Sequence, residues 1–278
     1  MTLTKGKVIG AALVPGLPHL LVPERSPAWA SAAKAMLSAK ETIEVLAPDV
    51  LVIFSSQWLS VLGTSVQAHP NPKGLHVDEN WHDLVDLPFN FQTDAALASA
   101  VAESIEALGF PARTVAYDDF PIDTGTIVAL QTLNSHRKCP VVVVSSWVYA
   151  DAAKAEAIGS AVRKAIEQSG KRAFVIASTL LSARFFSDEI DPLTDHISDP
   201  GDDAWNRNIL SALETGDFAK LREVHQSAGS VVTDMQFNVF YSLAGVLAGD
   251  CPGRIRHYGP LWGTGAAVVE FSLEEQAK

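Results

Sequence analysis

Three short runs of unbroken apolar residues constrain this 278-residue chain more than anything else in it. They are Val50-Leu51-Val52-Ile53-Phe54, Val141-Val142-Val143-Val144 and Ala173-Phe174-Val175-Ile176-Ala177. Runs of this length, rich in β-branched residues and lacking polar alternation, read as strands buried on both faces, which requires a sheet covered by helices. Each run stops abruptly on polar residues: Ser55-Ser56-Gln57-Trp58, Ser145-Ser146-Trp147 and Ser178-Thr179. In open α/β sheets, ligands collect beyond the carboxyl ends of the strands. These tips are therefore where a site is to be sought.

The segments between the runs fit such a sheet. Val8 to Val14 predicts a first strand, ended by Pro15-Gly16-Leu17-Pro18, since prolines cannot continue a ladder. Ser26-Pro27 opens a helix over 28–46, with Trp29, Ala33, Met36, Leu37, Ile43 and Leu46 toward one side. Asp94 caps a helix that Gly109 ends. Further helices are expected over 127–133, 152–168, 204–213, 218–226 and 230–247. Further strands are expected over 61–68, 113–117, 255–258 and 266–271. Residues 69–92 read as a long irregular loop. Strands alternate with helices without a linker or repeat. The predicted fold is α/β: one domain over 1–278, with a central, largely parallel mixed sheet covered by helices on both faces.

Composition narrows the function. Hydrophobic residues make up 47% of the chain and charged residues 19%, enough for a substantial core. A net charge of -11 disfavours nucleic acid and anionic membrane surfaces, which need a basic face. No apolar run reaches membrane-spanning length. Cys139 and Cys251 form no ligand motif and fit a reduced, cytoplasmic protein. A phosphate-binding loop, a dinucleotide fingerprint and a nucleophile elbow are all absent.

The residues that could carry chemistry each have a plainer reading. His19 follows the first strand and could ligate a metal, or it is a loop histidine bonded to backbone. His76 and His82, with Asp78, Glu79 or Asp83, could form a metal cluster, but their spacing is equally that of a solvated loop. Asp118, Asp119 and Asp123 could serve acid–base chemistry, whereas Asp123-Thr124-Gly125-Thr126 also reads as a helix cap. Asp195-His196 lies in an acidic, solvated loop, and His257 is a packed strand histidine. Trp58, Trp81, Trp147 and Trp262 stand at strand ends and loops, suited to a pocket wall or an interface; Trp29 and Trp205 are helix core residues. The residues alone assemble no complete catalytic constellation.

Taken in order, several stretches resemble one family. They are Ala12 to His19, Phe54-Ser55-Ser56-Gln57-Trp58, His76 to Trp81, Phe120 to Ile127 and Tyr258 to Phe271. Together they resemble the class III extradiol ring-cleaving dioxygenases, the superfamily of protocatechuate 4,5-dioxygenase, and within it the two-subunit enzymes that cleave aminophenols. Catalytic members of that family hold Fe(II) with two histidines and a glutamate. The resemblance places the first histidine at Gly16, with only the later histidine of its motif kept as His19. It places the second at Gln57, the glutamate at Val231 on a helix opening after Ala228-Gly229-Ser230, and a catalytic histidine at about Ala183. Glycine, valine and alanine side chains have no donor atom, and a neutral amide is a weak ligand.

The resemblance therefore implies a non-catalytic α subunit without a metal of its own. Fe(II) would sit in a related catalytic β subunit of an α2β2 heterotetramer that opens the ring of 2-aminophenol or a substituted relative with O2. His19, Gln57, Trp58, Trp81, His82, Asp123 and Trp262 would then line a vestigial pocket or an interface, with the three tryptophans exposed. Two alternatives remain: an active enzyme with a metal site shifted to His19, and a binding or regulatory protein using the emptied pocket. A hydrolase acting through Ser55 or Ser145 lacks a histidine–carboxylate pair.

Overall fold

In the computed structural model, which describes residues 5–136 and 139–273, the three apolar runs lie side by side at the centre of one sheet. In chain order the elements are β1 (Lys7–Val14), α1 (Pro27–Leu46), β2 (Val50–Ser60), β3 (Thr64–Gln67), β4 (Lys73–His76), β5 (Leu87–Asn90), α2 (Ala95–Glu106), β6 (Ala112–Val115) and α3 (Thr124–Leu133). The rest are β7 (Val141–Trp147), α4 (Ala152–Ser169), β8 (Arg172–Ser178), α5 (Pro200–Thr215), α6 (Phe218–Gln226), α7 (Asn238–Leu247), β9 (Gly253–Leu261) and β10 (Thr264–Ser272). The main sheet runs β6-β3-β7-β2-β8-β1-β10-β9. β7, β2, β8 and β1 are mutually parallel, as are β3 and β6, while β3 runs antiparallel to β7, β10 antiparallel to β1, and β9 antiparallel to β10. This is a single α/β domain with a mixed, mostly parallel sheet.

The double burial of the central strands follows from this order. Val50, Val52 and Phe54 of β2 face a layer containing α2, α4 and α7, while Leu51 and Ile53 face α1 and α3. Successive strand residues point to opposite faces, so only an unbroken apolar run serves both layers. β1 passes to β2 through α1 on one face, and β7 passes to β8 through α4 on the other. The chain thus diverges at the carboxyl ends of adjoining strands, which is the arrangement that opens a crevice there. Among the described residues, no helix is long and apolar enough to cross a membrane.

Three expectations fail, each for a local reason. Leu37 is 55% exposed, because α1 buries Trp29, Ala32, Ala35, Met36, Ala39 and Ile43 instead. That alanine-rich stripe lets the helix lie close to the sheet. The 69–92 segment is not wholly irregular: β4 and β5 pair as an antiparallel two-stranded sheet. The helix expected from Ser230 begins only at Asn238.

α4 and α7 cross in backbone contact. A Cβ on Gly159 would lie 1.9 Å from the Ser242 carbonyl oxygen, and one on Gly245 would lie 2.0 Å from that of Glu156. Arg163 Nη1 donates to the Val246 carbonyl at 2.8 Å across the same crossing. Gly159→Ala is expected to lower unfolding free energy by about 1–3 kcal/mol through overpacking, read as a lower denaturant midpoint. An unchanged midpoint would show that the helices separate at no cost.

Candidate functional site

The site begins where β2 leaves its ladder. Ser55 pairs with Ser145, but the next pair on β7 is Leu59 with Ser146, so Ser56, Gln57 and Trp58 bulge out at the carboxyl edge. Such a bulge re-aims side chains and ends regular pairing. Gln57 turns toward the end of β1, where its Nε2 donates to the Gly16 carbonyl at 3.0 Å. Ser55 Oγ donates to Asp123 Oδ1 at 2.5 Å, and the same oxygen accepts the Thr126 amide at 2.9 Å. Asp123 is therefore the N-cap of α3, as its sequence pattern allowed, and it also ties that helix to β2. Ser178 Oγ, at the tip of β8, donates to the Gly125 carbonyl at 3.1 Å.

This packing leaves no room at position 16. A Cβ there would sit 2.5 Å from Ser178 Oγ, 2.8 Å from Gly125 Cα and 3.3 Å from Gln57 Nε2. A side chain on residue 16 requires the tips of β1 and β8 and the start of α3 to move apart.

The carboxylate at the strand tips belongs to Asp234, which the sequence reading passed over. Its Oδ2 accepts hydrogen bonds from Ser56 Oγ at 2.6 Å, Thr179 Oγ1 at 2.9 Å and the Leu180 amide at 2.9 Å. Burial raises its pKa above the ordinary carboxylate value, partly opposed by those three bonds. Val231 lies outside any helix, its amide closing a turn onto the Ala228 carbonyl at 3.0 Å. Ala183 donates its amide to Val232 at 2.7 Å, and Ser182 bridges Thr233. Between this segment and α7 the backbone turns left-handed at Met235, Gln236 and Phe237, with φ of 43°, 53° and 64°. Each non-glycine residue in that conformation costs about 1–2 kcal/mol.

His19 occupies a separate aromatic cage. It is 1% exposed, and its ring centroid lies 4.6 Å from Trp29, 4.4 Å from Trp81 and 5.5 Å from Trp262. Its Nδ1 has no hydrogen-bond partner. Desolvation lowers its pKa to about 3, against a smaller opposing influence of Asp78. Asp195 secures the cage: Oδ2 accepts Trp29 Nε1 and the Trp262 amide, both at 2.7 Å, and Oδ1 accepts the Gly263 amide at 3.0 Å. This corrects the reading of Asp195 as solvated. Trp262 and Gly263 form the β9–β10 turn, both at positive φ, and the carboxylate holds that turn against Trp29. Asp78 places Trp81 by accepting its amide at 3.1 Å and bonding Thr124 at the start of α3.

The remaining candidates scatter. Trp58, Trp81 and Trp262 are half-buried, not exposed. Trp58 lies edge-on to Phe120 at 5.8 Å. His82 is exposed beside Asp83, and His257 packs on β9 with Nδ1 3.2 Å from Ser31 Oγ. Trp29 and Trp205 are core residues, as read from sequence. Among the described residues, no group of three or more His, Cys, Asp or Glu converges on a metal position. An Fe(II) centre built from two histidines and a carboxylate does not fit the strand tips. Gly16 offers no side-chain donor, the Gln57 amide is engaged with it, and Asp234 Oδ2 already receives three donors.

Residues 12–270 match the family model described as the catalytic LigB subunit of aromatic ring-opening dioxygenase. The chain is 41% identical to the 2-aminophenol 1,6-dioxygenase alpha subunit of a Pseudomonas species, over 96% of this chain and 99% of that one. It is 26% identical to a Pseudomonas 2-aminophenol 1,6-dioxygenase beta subunit, over 98% and 96% of the two chains. The crystal structure of an uncharacterized Escherichia coli K12 protein matches with a TM-score of 0.65, covering 94% of this chain and 99% of that one at 15% identity. That last likeness is one of fold alone.

The cage gives stability a defined pH dependence. His19 is neutral when folded down to about pH 3, whereas in the unfolded chain it takes up a proton near the ordinary value of about 6.5. Its contribution is complete above pH ~6.5 and is lost as pH falls from there toward ~3, at up to ~1.4 kcal/mol per pH unit. His19→Leu is expected to flatten the fall in unfolding free energy over that window. Parallel profiles for variant and wild type would remove His19 as its source.

Proposed function

The chain belongs to the LigB family of aromatic ring-opening dioxygenase subunits, and from that premise we propose that it is a non-catalytic α-type subunit of a two-subunit enzyme opening the ring of 2-aminophenol or a substituted relative with O2. One observation carries this reading: the Gln57 amide closes onto the Gly16 carbonyl, in a space too small for any side chain at position 16. Extradiol cleavage needs a metal that binds the organic substrate and dioxygen together. Residues 16, 57, 183 and 231 provide no such donor set, so Fe(II) belongs to a related β-type partner. The relatives named as alpha and beta subunits, each matching nearly the whole chain, support such a partner. The assembly would be an α2β2 heterotetramer in the cytoplasm.

In this role the chain's own chemistry is structural. Ser55, Gln57, Ser178 and Asp234 engage the polar strand ends with partners inside the chain. A shifted metal site around His19 is disfavoured, because that imidazole is walled in by Trp29, Trp81 and Trp262 and, among the described residues, no group of three or more His, Cys, Asp or Glu converges on it. Use of the emptied pocket for binding meets the same obstacle at Gly16.

Iron content and ring-cleaving turnover, measured on the chain alone and after co-expression with its β-type partner, test the proposal. Neither is expected in the lone chain, and both are expected in a stable co-purified complex. Gly16→His with Gln57→His should not restore iron to the lone chain and should lower its melting temperature. Stoichiometric iron with turnover in the unmodified lone chain would overturn the proposal.

A further inference from the structure

The left-handed turn before α7 is not explained by its residue types; Phe237 at its end is buried against His225 and Phe240, but that packing does not fix the hand of residues 235 and 236. Met235, Gln236 and Phe237 are not residues that adopt that hand readily, and the sequence from 230 reads as a continuation of the helix. The cause lies just upstream. Asp234 Oδ2 is held by Ser56 Oγ, Thr179 Oγ1 and the Leu180 amide. Residues 230–233 lie along 181–184 through Ala183 to Val232, the Ser182–Thr233 bridge, and Arg184 Nη2 donating to the Ser230 carbonyl at 2.6 Å. With Asp234 fixed on the tips of β2 and β8, the chain must reverse sharply to enter α7 at Asn238.

We propose that Asp234 is a latch. Its carboxylate pins the segment across the strand tips and forces residues 235–237 left-handed. Once it is released, residues 234–237 wind into a right-handed extension of α7. The same sequence then has two competing arrangements, the basis of a bistable element. In the latched form Asp234 links the ends of β2 and β8. In the released form Ser56 and Thr179 lose their acceptor and the crevice loses its cover. Every group involved lies within this chain, so the latch goes beyond the proposed subunit role and stands or falls separately from it.

Gln236 is exposed, so glycine there removes left-handed strain without removing packing. In the otherwise wild-type chain, Gln236→Gly is expected to raise Tm by about 2 °C. In an Asp234→Ala background, where residue 236 is helical, the same change should lower Tm by a similar amount, since glycine is a poor helix former. Hydrogen exchange should accompany it: the amides of Leu180 and Ala183 exchange roughly tenfold faster in Asp234→Ala, with the central strands unchanged. Should Asp234→Ala not fold, Ser56→Ala with Thr179→Val removes both side-chain donors while keeping the carboxylate, and the glycine comparison is made there. Reversal of sign between backgrounds supports the latch. Stabilisation by glycine in both backgrounds, or in neither, overturns it.

Discussion

Polar groups crowded at the carboxyl ends of parallel strands must find partners, because leaving one buried and unpaired costs about 1–3 kcal/mol. An ion bound there would draw the tips together through its ligands. In this chain hydrogen bonds do so. Gln57 joins β2 to the end of β1, Ser55 joins β2 to the cap of α3, Ser178 joins β8 to the same helix, and Asp234 joins β2 to β8. The three-residue bulge in β2 makes this possible, since a regular strand would carry Gln57 past Gly16. Glycine at 16 is then required by space and not by backbone hand: the closure exists only because nothing projects from that residue.

The aromatic cage obeys a different balance. An imidazole with an unpartnered Nδ1 is an unfavourable group to bury, but three indole rings around it supply large apolar area and edge-to-face contacts. Asp195 turns that cluster into a joint. One carboxylate receives the Trp29 indole from α1 and two amides from the β9–β10 turn, so the edge hairpin, the first helix and the loop bearing Trp81 meet at His19. Loss of that joint would disturb the sheet edge and the α3 cap together, through Asp78 and Thr124.

The sheet was legible because the central strands are buried on both sides, and that burial writes itself into the sequence as unbroken apolar runs. The helix starts at Asp94 and Asp123 were legible for a similar reason: a carboxylate three residues before a backbone amide is a local signal, and each does cap its helix. The segment 230–237 was misread because its pattern is helical and the force that breaks it comes from Ser56 and Thr179, far away in sequence. Asp195 was misread likewise, an acidic residue among acidic neighbours whose partners are an indole and a hairpin turn 67 residues on. Leu37 shows the limit of periodicity itself, which fixes a stripe only to within a neighbouring row when alanines share the face.

These misreadings share a physical origin: the strands and the contacts at their tips are set by different kinds of interaction. The elements that position the tips are set by local sequence and apolar burial, and relatives named as either subunit type match this chain in sequence along nearly its whole length. The contacts that close the tips are side-chain pairs between elements distant in sequence, such as Gln57 with Gly16 and Ser55 with Asp123. Such pairs can be exchanged without disturbing the strands, because each substitution alters a few polar contacts at the edge and none of the core. The donors at the tips can therefore change freely only in concert. A lone large side chain at 16 meets Ser178 and Gly125, and a lone loss of Asp234 strands Ser56 and Thr179. The closed state is held by mutual dependence among the tip residues, so a single substitution there carries the cost of every contact it breaks.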